Sequence, residues 1–393
     1  MVEWRESTWG AEISLEYGKG IRGYADAVGP YRVFGSNGPV GWTNEPLAPG
    51  PGVILGRKGA YRGVQFSKEP FFVIDTAYYV VPKSEMDMRW LYYAIIHHKL
   101  GEIDDGSPIP STTRAAVYVR DLSVPRLAEQ EAIASILGAL DDKIELNRRM
   151  NETLEATARA IFKDWFVDFG PTRAKMEGRA PYLASNIWSL FPDRLDDEGK
   201  PEGWIRDPLG AHILNLDSKR IPVSGSDRAK RQGPFPYHGA TGVMDHVDDY
   251  LFDGVHLLVG EDGSVVKENG LAFTQYVWGR IWVNNHAHVL QGKGSVSTEQ
   301  LLLYFQHETV TPYITGAVQL KLSQGRMNAM PFLYAGTDIC EAFSATVAHF
   351  FAKYRANADE NKMLAAMRDL LLPKLMSGEV RVKDAQKFVG EAS

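Results

Sequence analysis

The chain contains a single cysteine, and this scarcity narrows the chemistry open to it. Among 393 residues only Cys340 carries a thiol, which excludes an internal disulfide and a zinc site built from cysteines. No apolar run approaches the roughly 20 residues that a membrane-spanning helix needs, and the N-terminal residues do not resemble a signal peptide. We therefore expect a cytoplasmic protein with no membrane partner.

Positive charge is also in short supply. The formal net charge is -6 at pH 7, and residues 1–126 contain as many acidic as basic side chains. Nucleic-acid-binding domains more often have a basic total, so any DNA-binding surface must be a local patch. The hydrophobic fraction of 44% is ordinary for a globular protein, and the length fits two to four domains.

The usual enzyme signatures are missing as well. The sequence has no Walker loop and no Asn-Pro-Pro-aromatic or Asp-Pro-Pro-aromatic motif of an amino-methyltransferase. Residues 18–23 have the letters of a dinucleotide-binding loop but open no amphipathic helix. Residues 192–200 imitate a nuclease carboxylate motif, although no strands would aim those carboxylates at one metal. His286 and His288 have strand spacing without an evident third ligand, so we expect no catalytic residue and no metal site.

The chain does contain one heptad pattern written twice, over residues 133–165 and 343–375. Apolar side chains recur at alternating steps of four and three residues, which predicts a coiled-coil helix in each segment. Two asparagines occupy equivalent places in each stripe: Asn147 and Asn151 in the first, Asn357 and Asn361 in the second. Polar residues in such a seam fix its register at some cost in stability. An antiparallel pairing of the two helices would bring all four amides to one central layer.

The segments that precede the two helices also repeat. Four residues recur at one constant offset, namely Trp4, Gly10, Ala11 and Ile13 as Trp204, Gly210, Ala211 and Ile213. Four glycines do the same, namely Gly35, Gly38, Gly56 and Gly59 as Gly239, Gly242, Gly260 and Gly263. Glycine marks backbone positions with special conformations, so constant glycine spacing is hard to produce by chance. The chain is an internal duplication: variable domain, long helix, variable domain, long helix.

Each variable domain carries short β-branched and aromatic runs between Gly, Pro and Asn turns, which predicts strands. The clearest runs are 52–55, 71–74, 254–259 and 280–283, and helices are expected near 88–98 and 298–307. Proline punctuation should close the variable domains at Val124-Pro125 and Met330-Pro331, end the first long helix at Gly170-Pro171, and break or kink the second at Pro373.

The predicted fold class is α+β, with two β-rich domains separated by two long antiparallel helices that form a coiled coil with an internal pseudo-two-fold repeat. The predicted division is a first domain at 1–126, a central helix at 127–170, a connector at 171–203, a second domain at 204–337, a C-terminal helix at 338–377 and a tail at 378–393.

Several motifs resemble one protein family. The stretch Leu127-Ala128-Glu129-Gln130-Glu131-Ala132-Ile133-Ala134, continuing through residues 140–147 to Trp165-Phe166-Val167-Asp168-Phe169, is similar to the central helical region of type I restriction-modification specificity subunits. Residues 371–380 resemble the end of the second such region. Segments 236–242, 261–263 and 284–288 are also similar to that family, so the resemblance covers nearly the whole chain.

The resemblance implies two target-recognition domains, each of which reads one half of an asymmetric, split sequence in double-stranded DNA. It also implies a non-catalytic subunit without a cofactor of its own. Two methyltransferase subunits and restriction/translocase subunits would be its partners and would bind S-adenosylmethionine, ATP and Mg. Helices of about 43 residues would span roughly 60 Å and set the spacer between half-sites. The competing hypotheses are a self-contained restriction nuclease and a scaffold that binds protein or glycan.

Candidate DNA contacts are polar and basic residues of the predicted loops, because these side chains reach base edges and phosphates. In the first domain they are Ser36, Asn37, Arg57, Lys58, Tyr61, Arg62, Thr112, Thr113 and Arg114. In the second domain they are Lys219, Arg220, Arg228, Lys230, Arg231, Thr241, Lys267, Gln324 and Arg326. Candidate contacts to methyltransferase subunits on the first long helix are Arg148, Arg149, Arg159 and Lys163, which could equally form a solvated helix face.

One difference between the repeats bears on what each domain reads. Where the first domain has Arg57 and Lys58, the second has Glu261 and Asp262. Carboxylates can accept a hydrogen bond from cytosine N4 but cannot bind guanine as arginine does, so the two halves should read different sequences. An alternative role for Glu261 and Asp262 is to hold Arg or His side chains of the loop.

Overall fold

The fold is that of a computed structural model, which describes residues 4–104, 106 and 109–385. The end of the predicted tail, residues 386–393, lies outside the described residues. The chain divides into two compact units: unit 1 comprises Met1–Asn147 and Glu360–Ser393, and unit 2 comprises Arg148–Asp359. Both boundaries fall inside long helices, so each unit contains one β-rich domain and half of each helix.

The first β-rich domain, in unit 1, combines one antiparallel and one mixed sheet. Its elements in chain order are β1 Arg5–Thr8, α1 Trp9–Glu12, β2 Ile13–Tyr17, β3 Tyr31–Gly35, β4 Gly38–Thr43, β5 Gly52–Gly56, β6 Val64–Ser67, β7 Phe71–Val73, β8 Ala77–Pro82, α2 Met88–His97, α3 Arg114–Tyr118 and β9 Asp121–Val124. The order β2-β8-β5-β6 forms a four-stranded antiparallel sheet, and β4-β3-β7 forms a three-stranded mixed sheet. β1 and β9 pair separately.

The core of unit 1 explains why these segments fold together. Asp87 caps α2 by accepting hydrogen bonds from the backbone N–H groups of Arg89 and Trp90, which fixes where the helix begins. The buried face of α2, including Trp90, packs with strand residues of the four-stranded sheet and with the long helices through Leu137 and Leu375. Burial of these apolar side chains is the main stabilising contribution of the unit.

The linking region and the second β-rich domain follow with the same kinds of element. In chain order they are α4 Leu127–Phe166, α5 Gly170–Met176, α6 Ser185–Trp188, β10 Ile205–Pro208, β11 Ile213–Asn215, α7 Gly225–Arg228, β12 Phe235–His238, β13 Val243–Val247, β14 His256–Gly260, β15 Thr274–Val277, β16 Trp282–Val283, β17 Ala287–Gly292, α8 Thr298–Phe305, α9 Gln324–Asn328, β18 Pro331–Tyr334 and α10 Thr337–Met376.

Strand order in unit 2 repeats that of unit 1. β11-β17-β14-β15 corresponds to the four-stranded sheet of unit 1, β13-β12-β16 to the three-stranded sheet, and β10-β18 to the separate pair. The duplication predicted from glycine spacing is therefore a duplication of topology, and the α+β fold class is confirmed. The predicted helices near 88–98 and 298–307 correspond to α2 and α8.

The long helices α4 and α10, each of 40 residues, pair antiparallel within both units. In unit 1, Arg368 lies 2.8 Å from Asp141, and Asn147 Nδ2 donates to Asn361 Oδ1 at 3.0 Å. In unit 2, Asn357 donates to Asn151 at 2.9 Å, and further along the pair Phe343 packs against α4. The asparagines thus form one hydrogen-bonded pair in each unit. Neither these helices nor any other described helix is apolar enough to cross a membrane.

Three predictions about proline were wrong in detail. α4 ends at Phe166, before Gly170-Pro171. Gly170 and Pro171 instead begin α5. Proline is tolerated there because an N–H group in the first turn of a helix has no helical partner. Pro331 does not close the second domain but starts β18, which pairs with β10. Pro373 does not break α10, which continues to Met376. Proline removes one backbone hydrogen bond, and so close to the end of the helix the remaining hydrogen bonds keep the last turn helical.

Candidate nucleic-acid interface

A basic pocket opens in unit 1 at the end of the four-stranded sheet where β2 and β5 end and β8 begins. Its volume is about 220 Å³, and its lining residues are Tyr17, Arg57, Lys58, Tyr78, Ser111, Thr112, Thr113 and Arg114. Main-chain pairing holds its two loops together: Lys58 and Ser111 form an isolated antiparallel bridge, and Thr112 N donates to Arg57 O at 2.9 Å. The backbone therefore fixes the position of the basic side chains.

Two tyrosines form the floor of the basic pocket. Tyr17 and Tyr78 are paired across β2 and β8, with ring centroids 5.1 Å apart. The Arg57 guanidinium lies 5.0 Å from the centre of the Tyr17 ring, and that of Arg114 lies 4.2 Å from it. Burial, with a hydrogen bond to Tyr17, raises the pKa of Tyr78 to about 12, so its phenol is neutral at pH 7. A stacked guanidinium keeps its N–H edges available to a ligand.

The basic pocket is electrostatically unbalanced. Arg114 donates to Leu15 O at 2.6 Å and lies 3.6 Å from the carboxylate of Glu16. Among the described residues, neither Arg57 nor Lys58 forms an ion pair with a carboxylate. Three cations therefore face the pocket with one nearby carboxylate, a combination that attracts anions.

The structure removes one predicted contact from the first domain. Thr112 is fully buried and its hydroxyl donates to Leu100 O at 3.3 Å, so it cannot touch DNA. That prediction was wrong because loop polarity alone does not show where a side chain points. Arg62 donates to three backbone carbonyls, those of Gly59, Gly101 and Ile103, and so supports the loops. Its contact with DNA stays a prediction.

The remaining predicted residues of the first domain lie in or near the pocket loops. Ser36 donates to Thr76 O at 2.5 Å and accepts from Lys58 N, which makes it a support for the loop. Thr113 lines the pocket and accepts from Ala116 N at 3.2 Å. Asn37 is exposed, and Tyr61 is 78% exposed. Such exposure is unusual for a tyrosine, because most of its ring is apolar. These residues stay candidates for DNA contact.

The equivalent place in unit 2 has different chemistry. At offsets of 200, 204 and 210 residues, Asp217, Glu261 and His288 stand where unit 1 has Tyr17, Arg57 and Tyr78. The isolated bridge of Asp262 with Lys321 matches that of Lys58 with Ser111. The ligand atoms of the three residues lie within 4.8 Å of one another. His288 therefore has two further possible ligands nearby, so the prediction that it has no third one was wrong.

Cations already compensate these carboxylates. Arg220 donates to Glu261 at 2.7 Å and lies 3.5 Å from Asp217, and Lys321 lies 3.3 Å from Glu261. His288 is fully buried, with Nδ1 at 2.6 Å from Asp217 and Nε2 at 2.7 Å from Leu322 O. Asp217, Arg220, Glu261, His288 and Lys321 form what we name the ion-pair network. Glu261 thus has the alternative role predicted for it, which was to hold an Arg or His side chain. Asp262 has the same role, because it contacts His286.

The ion-pair network explains the ionisation of Asp217. Burial alone would raise the pKa of this carboxyl, but the hydrogen bond and electrostatic interaction with His288 and the N–H of Val289 outweigh burial, so the pKa lies below its usual value. Arg220, a predicted DNA contact, is only 12% exposed in its side chain and donates to Glu261 and to the carbonyl oxygens of Asp217 and Ala287.

Other predicted residues of the second domain divide into paired and exposed groups. Arg228 lies 3.0 Å from Asp245 and over the Tyr237 ring, while Arg231 lies 2.8 Å from Asp248. The exposed residues are Lys219, Lys230, Thr241, Lys267, Gln324 and Arg326. The exposed group can reach a ligand, and of these Lys230 also lies 3.8 Å from the carboxylate of Asp227. Arg228 and Arg231 would first have to exchange their carboxylate partners.

The basic residues predicted to dock methyltransferase subunits are all exposed on α4: Arg148, Arg149, Arg159 and Lys163. Arg148 pairs with Glu152 one turn later, Arg159 lies 4.0 Å from Glu155, and Lys163 contacts Asp168. Such local pairs are typical of a solvated helix face and contribute little to stability. Docking at this face stays a prediction.

Tyr17 and Tyr78 are the site residues that the sequence-based analysis did not single out. Aromatic residues in strands usually belong to a core, and Tyr78 is indeed buried, but Tyr17 is 47% exposed at the end of β2. The repeat offset carried a usable signal, because it aligns Tyr17 with the charged Asp217. A core position would seldom alternate between tyrosine and aspartate.

The sequence of this chain is similar to those of known proteins. A family model described as "Type I restriction modification DNA specificity domain" matches residues 26–156. The chain is 25% identical over 362 residues to the type I restriction enzyme MjaIX specificity subunit of Methanocaldococcus jannaschii, covering 84% of this chain and 78% of that one. It is 25% identical over 330 residues to the HindI specificity subunit of Haemophilus influenzae, covering 69% and 71%.

A solved structure shares the fold along almost the entire chain. The type I restriction-modification S subunit from M. genitalium superposes with a TM-score of 0.60 at 16% identity, covering 95% of this chain and 96% of that one. Identity this low supports the fold alone. Together with the duplicated topology and the long helix pair, these comparisons show that the chain is similar to type I restriction-modification specificity subunits along most of its length.

Proposed function

We propose that this chain is a type I specificity subunit that recognises an asymmetric, split DNA sequence, with each β-rich domain reading one half. The observation that carries the proposal is the contrast between the repeats: one topology bears the basic pocket in unit 1 and the self-neutralised ion-pair network in unit 2. Two domains of one topology that carry different side chains at the same position would recognise different DNA sequences.

The long helices would set the spacer between the two half-sites. Seam asparagines bond in pairs, Asn147 with Asn361 and Asn151 with Asn357, which fixes helix register within each unit. A fixed register is what a measuring device needs, because sliding by one heptad would change the spacing. Helices of 40 residues would each extend roughly 60 Å at about 1.5 Å per residue.

Catalysis would belong to partner subunits in this proposal. Two methyltransferase subunits would dock on the helices and bind S-adenosylmethionine, and restriction/translocase subunits would bind ATP and Mg. The nuclease alternative, which rests on Asp193 and Glu198, gains no support from the connector, where Glu198 lies 3.5 Å from Lys200.

Methylome sequencing of the host with and without this chain tests the proposal. We expect one split motif, two short defined sequences separated by an undefined spacer, to lose methylation completely when the chain is absent. Both halves should vanish together, because one subunit carries both readers. Re-expression of the chain should restore the motif. A contiguous motif, or a methylome that does not change, would contradict the proposal.

A further inference from the structure

We propose that the basic pocket of unit 1 binds a backbone phosphate of the DNA, and that its counterpart in unit 2 does not because Arg220 already occupies it. The inference rests on the proposed DNA recognition and deepens it: it names the chemical group bound and predicts an asymmetry between the repeats. Neither point follows from the family resemblance, since the two loci differ within this one chain.

Charge is the first argument for a phosphodiester. Arg57, Lys58 and Arg114 line the basic pocket, and Glu16, at 3.6 Å from Arg114, is the nearest compensation among the described residues. An excess of cations in a concave site raises the local concentration of anions. Base edges are uncharged, so the same excess attracts a phosphate more strongly than it attracts a base.

Donor geometry is the second argument. The Arg57 and Arg114 guanidiniums both lie over the Tyr17 ring, at 5.0 and 4.2 Å from its centre, so the aromatic floor orients them without consuming their N–H groups. The hydroxyl of Thr113 accepts from Ala116 N at 3.2 Å, which leaves its hydrogen available to donate. Several convergent donors with charge suit a phosphate oxygen.

The counterpart in unit 2 supplies the contrast. Arg220 reaches Glu261 at 2.7 Å, Asp217 at 3.5 Å and Ala287 O at 2.6 Å, and is mostly buried there. Its charge and that of Lys321 offset the charges of Asp217 and Glu261. An incoming phosphate would meet carboxylates and would have to displace Arg220. Unit 2 must therefore contact DNA elsewhere, and its exposed basic residues, such as Lys230 and Lys267, are the available ones.

The salt dependence of DNA binding tests the assignment. Full-length chain would be titrated into duplexes with and without the methylome-defined motif, at a series of salt concentrations, with anisotropy as the readout. For Arg57→Ala we expect at least about tenfold weaker binding to both duplexes, from the loss of a charged hydrogen bond. The slope of log affinity against log salt should be shallower by about 0.9, the value for one released phosphate contact. The control Lys321→Ala should leave that slope unchanged.

A scan with methylphosphonates, which remove the charge of one phosphate at a time, locates the contact. We expect one position flanking a single half-site where neutralisation weakens wild type but weakens Arg57→Ala no further. If Arg57→Ala melts earlier than wild type, Lys58→Ala carries the same test, because Lys58 is exposed.

Three outcomes overturn the inference and differ from one another. A changed base preference in one half-site at an unchanged salt slope would make Arg57 a base reader. Unchanged affinity and slope in both variants would remove the pocket from the interface. A wild-type chain that binds no DNA in the complex it forms in the host would defeat the proposed function itself.

Discussion

Insertion of one heptad into each long helix, after Asn147 in α4 and after Asp359 in α10, should lengthen the spacer of the recognised motif by about three base pairs. Seven residues add about 10 Å of helix at about 1.5 Å per residue, and base pairs are stacked about 3.4 Å apart. The two insertion points are the boundaries of the compact units, so the contacts within each unit are retained. A whole heptad also keeps the seam in phase.

A two-residue insertion at the same points is the matched control. It turns the following part of each helix by about 200°, which moves the seam to the opposite face and should abolish recognition. Methylome sequencing reads out both variants, since the spacer is counted directly from the motif. A heptad variant that keeps the original spacer would show that the helices do not set it.

Loss of Arg220 should strongly destabilise unit 2. In Arg220→Met, Asp217 and Glu261 would remain close together in a mostly buried site without their shared guanidinium. Removing one member of a buried ion pair typically costs about 3–5 kcal/mol because the other charge is left uncompensated. Hydrogen exchange of the β14 and β17 amides measures the stability of this unit separately from that of unit 1.

The double variant Arg220→Met with Glu261→Gln is the control for that experiment. It removes the charge of both partners, so it should be more stable than Arg220→Met alone. If the two single changes are simply additive, the guanidinium and the carboxylate are not coupled, and the ion-pair network would have to be described differently.

The ion-pair network should also make unit 2 sensitive to acid. Because the pKa of Asp217 is lowered in the folded chain, its stabilising contribution is present above the ordinary carboxyl pKa of about 4 and disappears as the pH falls through the folded value. Wild type should therefore be more stable than Asp217→Asn at pH 7. The difference should shrink as the pH is lowered below about 4, and a constant difference would contradict this assignment.

Local patterns could be predicted from the sequence, and contacts between distant segments could not. The heptads predicted α4 and α10, because a helix that buries one face needs an apolar side chain on that face at every turn. Thr112 and Arg220 looked like loop residues suited to DNA. Their burial depends on partners far along the chain, such as Glu261 for Arg220, which no local pattern specifies.

The sequence predicted only part of the chemical contrast between the repeats. Replacement of Arg57 by Glu261 is plain in the aligned sequence, and it correctly suggested unlike chemistry. The cause of the unlike chemistry lies in Arg220, which has no basic counterpart at Gly20 of the first repeat. Three-dimensional contacts were needed to show that this one side chain fills the second locus.

The lone cysteine gives the chain a practical advantage for spectroscopy. Cys340 is buried at the beginning of α10, and burial raises the pKa of its thiol, so little reactive thiolate is present at neutral pH. Cysteines introduced at the exposed positions of Tyr61 and Lys230 would therefore accept fluorophores selectively while the native thiol stays in place. Energy transfer between the two dyes would then give the separation of the two β-rich domains in solution, with and without DNA.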